Sequence, residues 1–262
     1  MYLTKSKLSG RIMSFYKYQS FLLFSLLFIV ASGTLFSQGS VVTWGLGYTG
    51  GDSSSVASSL SSGVTEIFST ERAYAALKSD GSVVTWGSSD YGADSSSVAS
   101  SLSSGVTQIF STQKAFAALK SDGSVVTWGD SDYGGDSSSV ASSLSSGVTE
   151  IFSNDWSFAA LKSDGSVVTW GYSTSNYGAD SSSVASSLSS GVTQIFSNKT
   201  SFAALKSNGR VVTWGSSSVG GDSSSATGLN TGALILLQLL RVMVLLSPGA
   251  FMEEIVLQSP LV

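Results

Sequence analysis

A five-residue string, Val-Val-Thr-Trp-Gly, returns along this chain with its tryptophan at Trp44, Trp86, Trp128, Trp170 and Trp214, at spacings of 42, 42, 42 and 44 residues. The text between the copies is almost unchanged. A fixed period of this length describes units that bury their apolar faces against neighbouring units. Four complete units run from Gly63 to Trp86, Gly105 to Trp128, Gly147 to Trp170 and Gly191 to Trp214, and a leading fragment, Ser40 to Asp52, precedes them.

One unit shows what each is built to become. Val106 to Ser111 and Ala115 to Lys120 are short runs rich in apolar residues, the first carrying β-branched Val, Thr and Ile. Ser121-Asp122-Gly123-Ser124 follows, and Asp-Gly between two such runs is a strong hairpin signal. Val125 to Trp128 is the returning strand. The runs do not alternate apolar with polar, as expected when both faces of a small sheet are covered. Asp136 ahead of a serine run, with Val140 and Leu144 four apart, predicts a capped helical turn in the linker. Three or four strands per 42 residues describe a β-propeller or a β-solenoid, and solenoid coils are usually shorter. The expected fold is therefore an all-β propeller of about four and a half blades, open or incomplete. The repeat array spans residues 40–225.

The string Gly-Val-Thr-x-Ile-Phe-Ser…Ala-Ala-Leu-Lys-Ser-Asp-Gly-Ser-Val-Val-Thr-Trp-Gly…Tyr-Gly resembles the regulator-of-chromosome-condensation repeat. That resemblance implies a propeller in which seven blades are usual, against about four and a half units here. Unit length, the Ser-Gly-Val start and the N-terminal segment are more similar to a secreted bacterial branch that includes a β-lactamase inhibitory protein. Members of the wider family include exchange factors, inhibitors and photoreceptors, so the resemblance does not carry an activity.

Neither Cys nor His occurs. Thiolate nucleophiles, imidazole bases and the usual zinc ligands are therefore missing, and no Ser-His-Asp triad can be assembled. No catalytic residue, metal site or cofactor is assigned, and the chain is read as non-enzymatic. The basic residues Lys5, Lys7, Arg11 and Lys17 precede an apolar run, Phe21 to Val30, and small residues at 31–33. Residues 1–33 read as a secretory signal peptide or an uncleaved anchor, with residues 21–36 as the possible membrane attachment. Either places the repeats outside the cytoplasm, secreted or at the cell surface. Removing these four cations from thirteen leaves nine against seventeen acids, a net charge of −8. That balance argues against a nucleic-acid groove.

Residues 226–262 abandon the repeat. Codons chosen for a repeat beginning Lys-Ser-Asp-Gly-Ser-Val-Val-Thr-Trp-Gly, read from their second base, translate as Arg241 through Val262 without a mismatch. The tail is thus read as a frameshifted repeat, and the chain as a fragment of a longer array. Unpaired blade edges would then invite self-association.

Because the units are near copies, the positions that differ stand out. One set lies before the Ala-Ala-Leu-Lys run: Glu71 and Arg72, Gln113 and Lys114, Asp155 and Trp156, then Lys199. The other lies in the bend after Trp-Gly: Tyr91, Tyr133, Tyr172 and Tyr177, the last two flanking a two-residue insertion. Variable, aromatic-bearing loops on a rigid frame suit a binding surface for a protein or a glycan. Neutral variation at exposed sites accounts for the same pattern. Asp52, Asp94, Asp136, Asp180 and Asp222 recur in a Gly-rich setting. Their register does not match tandem-aspartate calcium repeats, and a capping role explains them. Two further readings remain: a fragment without retained activity, and, by family analogy alone, a guanine-nucleotide exchange factor.

Overall fold

A computed structural model describes residues 39–174 and 176–222; the N-terminal segment, the three last array residues at 223–225 and the tail lie outside the described residues. Each complete unit folds into one three-stranded antiparallel sheet. The first contains β1 (Val64–Ser69), β2 (Ala73–Lys78) and β3 (Val83–Gly87), and the second β4 (Val106–Ser111), β5 (Ala115–Lys120) and β6 (Val125–Gly129). The third contains β7 (Val148–Ser153), β8 (Ser157–Lys162) and β9 (Val167–Gly171), and the fourth β10 (Val192–Ser197), β11 (Ser201–Lys206) and β12 (Val211–Gly215). In every sheet the strands lie in sequence order. The four sheets form an open, incomplete propeller.

The Asp-Gly turn closes the hairpin between second and third strands, where Gly123 adopts φ +78° and its N–H donates to the Lys120 carbonyl at 2.9 Å. An added Cβ there would lie 2.8 Å from the Gly147 nitrogen, so glycine is required both by conformation and by the next unit's approach. The linker turn is present as well. Asp136 accepts the Ser138 N–H at 2.8 Å, and a single helical turn, α1 (Ala141–Leu144), follows. The lysine ending each second strand reaches back to the linker that precedes its own sheet: Lys120 Nζ donates to the Ser101 carbonyl at 2.8 Å, and Lys78, Lys162 and Lys206 bond equivalently.

The core lies between sheets. Along β5, Ala115 to Leu119 are buried without a break. Ala115, Ala117 and Leu119 face the following sheet, where they meet Ile151, Phe158, Ala160 and Trp170. Phe116 and Ala118 face the preceding sheet, against Ala73, Ala75 and Leu77. Each sheet thus presents a small-residue face forward and an aromatic face backward. This explains why the alternation expected of a half-exposed strand is missing.

The tryptophan fastens the contact. Trp128 stacks on Phe116 of its own sheet with centroids 5.2 Å apart, and its Nε1–H donates to the carbonyl of Gly92 in the preceding unit at 3.0 Å. Trp86, Trp170 and Trp214 repeat both contacts, donating to Gly50, Gly134 and Gly178. These four indoles are 2–3% exposed. Trp44 differs. It is 40% exposed, and Val41 to Trp44 form no assigned strand. The leading fragment nonetheless seats on the first sheet as a hairpin would: Val64 N–H donates to Gly39 at 3.3 Å, as Val106 does to Gly81 at 3.0 Å.

Two outcomes follow from these contacts. Trp128→Phe keeps the ring but leaves the buried Gly92 carbonyl unpaired, and should cost about 2 kcal/mol in chemical denaturation. Trp44→Phe should cost under about 0.5 kcal/mol in the same measurement. Asp52, Asp80, Asp94, Asp122, Asp136, Asp164 and Asp180 all have pKa values lowered, mainly by hydrogen bonds from the serine two residues on. Their contribution is complete above the unfolded carboxylate pKa of about 4 and is lost as pH falls through the lower folded values. The melting temperature should therefore hold through mild acid and decline below pH about 4, less steeply in a variant with these aspartates changed to Asn.

Candidate functional site

The variable turn precedes the second strand of each sheet, and the bend follows the third; strand register brings the two together. Ala115 pairs with Gly129 at one end of the β5–β6 ladder, which sets Lys114 beside Asp130. A polar side chain then ties bend to turn. Thr112 Oγ1 donates to the Tyr133 carbonyl at 2.9 Å, Thr70 to that of Tyr91 at 2.9 Å, and Asn154 Nδ2 to that of Tyr177 at 2.9 Å. The bend tyrosines are therefore held at equivalent places. The two-residue insertion before Tyr177 is taken up upstream of that bond.

The turns of successive units are stitched to one another. Glu71 N–H donates to the Gln113 carbonyl at 3.0 Å, Gln113 to Asp155 at 3.1 Å, and Asp155 to Lys199 at 3.2 Å. Four of the predicted residues thus form a row, one per unit. Side chains reinforce it: Gln113 Nε2 donates to Asp155 Oδ2 at 3.2 Å, and Lys199 Nζ lies 4.0 Å from the same oxygen. Partial burial raises the Asp155 pKa, against the opposing pull of Lys199 and Gln113.

Beside this row runs a second, made of cations and rings. The Arg72 guanidinium lies 4.9 Å from the Tyr91 ring centre. Lys114 Nζ lies 5.3 Å from Tyr91 and 4.6 Å from Tyr133, and 3.7 Å from Asp130 Oδ2. Burial opposes the Lys114 charge, but Tyr133, Tyr91 and Asp130 together outweigh it and raise its pKa. Trp156 comes next. Tyr133 stacks on it at 4.7 Å and 22°, Tyr177 approaches at 4.7 Å and 39°, and Tyr172 meets it edge-on at 5.5 Å. Tyr172 and Tyr177 touch at 5.2 Å, nearly perpendicular.

All eleven residues singled out in the sequence therefore fall into two parallel rows spanning consecutive units. Asp130, which stands in the variable bend where the preceding unit has Ser88, joins them through Lys114. The three tyrosines pack directly on Trp156, at centroid distances of 4.7, 4.7 and 5.5 Å, too close for a cation to lie between them and the indole. Among the described residues no group of three or more Asp or Glu is placed to hold a metal ion. Asp52, Asp94, Asp136 and Asp180 of the Gly-rich loops instead accept a hydrogen bond from the serine amide two positions on.

No protein-family model and no curated protein matches the chain. Solved structures similar to part of it include human WBSCR16, at 22% identity over 58% of this chain and 47% of that one, TM-score 0.38. The CRINKLY WD40 ectodomain of the Arabidopsis thaliana receptor kinase ACR4 is 16% identical over 58% and 50%, TM-score 0.39. Prp20p of Saccharomyces cerevisiae, yeast RCC1, is 16% identical over 57% and 43%, TM-score 0.38. The chain spans half or less of the length of each.

Because Trp156 contacts three tyrosines and Lys114 lies over two, the rows also join neighbouring sheets. Trp156→Ser should cost about 1–2 kcal/mol of stability and Lys114→Met under about 1 kcal/mol, both read from denaturant midpoints.

Proposed function

We propose that this protein is a binding scaffold that takes a protein partner on the paired rows that cross its four complete units. The carrying observation is the continuous run Arg72–Tyr91–Lys114–Tyr133–Trp156–Tyr177, set on a frame stitched by backbone hydrogen bonds. Tyr, Trp and Arg dominate binding energy at protein interfaces, and residues already ordered lose little entropy on docking. A sugar needs an open ring face. Here cations lie over Tyr91 and Tyr133, and other rings occupy Trp156, which favours a protein over a glycan. The absence of His and Cys supports a non-enzymatic role. The basic-then-apolar N-terminal text supports export, and its likeness to the secreted inhibitor branch supports an extracellular partner rather than a GTPase.

The test uses the full chain immobilised against extracellular fractions of its source, beside a variant with Arg72, Tyr133 and Trp156 changed to serine. Capture of a discrete protein by the parent, and its loss in the folded variant, is the expected result. Equal capture by both would refute the reading, and binding confined to a glycan array would move it to the other ligand class.

A further inference from the structure

The contact that joins one unit to the next is left half-made at both ends of the described array. At the leading end, four side chains stand out: Val42 at 61%, Trp44 at 40%, Leu46 at 43% and Tyr48 at 63% exposed. Val41 is packed against the first sheet and Thr43 bonds Ser53, so alternation turns Val42 and Trp44 outward. Their counterparts one unit on are less exposed: Val84 is partly buried and Trp86 is 3% exposed.

At the trailing end, the forward face of the fourth sheet is open. Ala203 and Leu205 are only partly covered, whereas Ala75, Ala117 and Ala159 are 0% exposed and Leu77, Leu119 and Leu161 are 6% exposed. Gly220 follows Val219 as Gly178 follows Tyr177, and both are left-handed, at φ +99° and +88°. Gly50, Gly92, Gly134 and Gly178 are buried, and the next unit's aromatic ring lies within 2.7 Å of where a Cβ would stand. Gly220 is exposed, and Val219 beside it is 48% exposed.

We infer that a second copy of this chain docks head to tail, its Val42 and Trp44 face lying on the Ala203 and Leu205 face of the first. The internal joints supply the template: a small-residue face receiving an indole whose N–H donates to the glycine carbonyl of the preceding bend. In the intermolecular joint, Trp44 takes the place that Trp214 holds against Gly178, and the Gly220 carbonyl is the acceptor. The two faces differ, so the contact is heterologous and each chain retains one free end. Loss of the indole removes a buried anchor, which at interfaces costs about thirtyfold or more in affinity.

Sedimentation equilibrium on the full chain tests this. The parent should show an average mass that rises with concentration, accompanied by a blue shift of tryptophan emission. Trp44→Ser and Ala203→Arg, both at solvent-accessible positions and checked for fold by circular dichroism, should each stay monomeric under those conditions. An equimolar mixture of the two should recover pairs, because one chain keeps its leading end and the other its trailing end. A monomeric parent, as when each chain's own tail covers its trailing face, overturns the inference. So does a mixture that stays monomeric, and so does an Ala203→Arg variant that still pairs with itself, the outcome required by a symmetric Trp44-to-Trp44 contact. None of these readings depends on the loop rows, so failure here leaves the proposed binding function standing.

Discussion

A single hydrogen bond, from an indole N–H to a glycine carbonyl thirty-six residues earlier, recurs wherever one complete unit meets the unit before it. Around it the geometry leaves little freedom. The glycine must be left-handed to turn its carbonyl toward the indole, and it must lack a Cβ because an aromatic ring occupies that space. The ring is Tyr74, Phe116, Phe158 or Phe202, and it stacks on the same tryptophan. Sheet packing by alanine against aromatic faces supplies apolar burial, and the hydrogen bond fixes where along the face each sheet sits. Burial alone is non-directional and would allow the sheets to slide.

From that alignment the loop rows follow. Once consecutive sheets are held in one register, their turns arrive close enough for Glu71, Gln113, Asp155 and Lys199 to bond through the backbone. The rings and cations beside them then interleave across units: Lys114 lies near the tyrosines of two successive bends, and Trp156 does the same. The surface is a by-product of the core geometry. Its chemistry is set by the variable turn and bend residues, of which Tyr91 and Tyr133 also pack against the core.

Much of this was readable from the text of one unit. The β5 and β4 bounds match the runs Ala115 to Lys120 and Val106 to Ser111, because the Asp122-Gly123 turn and flanking residues punctuate them on both sides. The absence of alternation pointed to sheets covered on both faces, as Ala115 to Leu119 are. Variation among near copies picked out the loop residues. What it could not supply was their adjacency. Tyr133 and Trp156 belong to different units, and their stacking depends on the inter-sheet offset, which local propensity does not encode. Trp44 belongs to the same five-letter string as the buried tryptophans, yet it is 40% exposed, since those letters meet a different neighbourhood at the leading end.

The bond from Asn154 to the Tyr177 carbonyl has a further meaning for how such a chain changes over time. Upstream of it, the fourth spacing accommodates two additional residues, yet Gly178 still meets Trp214 at 2.9 Å. Length variation is absorbed in a segment clamped at its far end, so the scaffold does not feel it. Each bend is in this sense a cassette, in which loops of new length and composition can be tried one at a time while the array keeps its alignment.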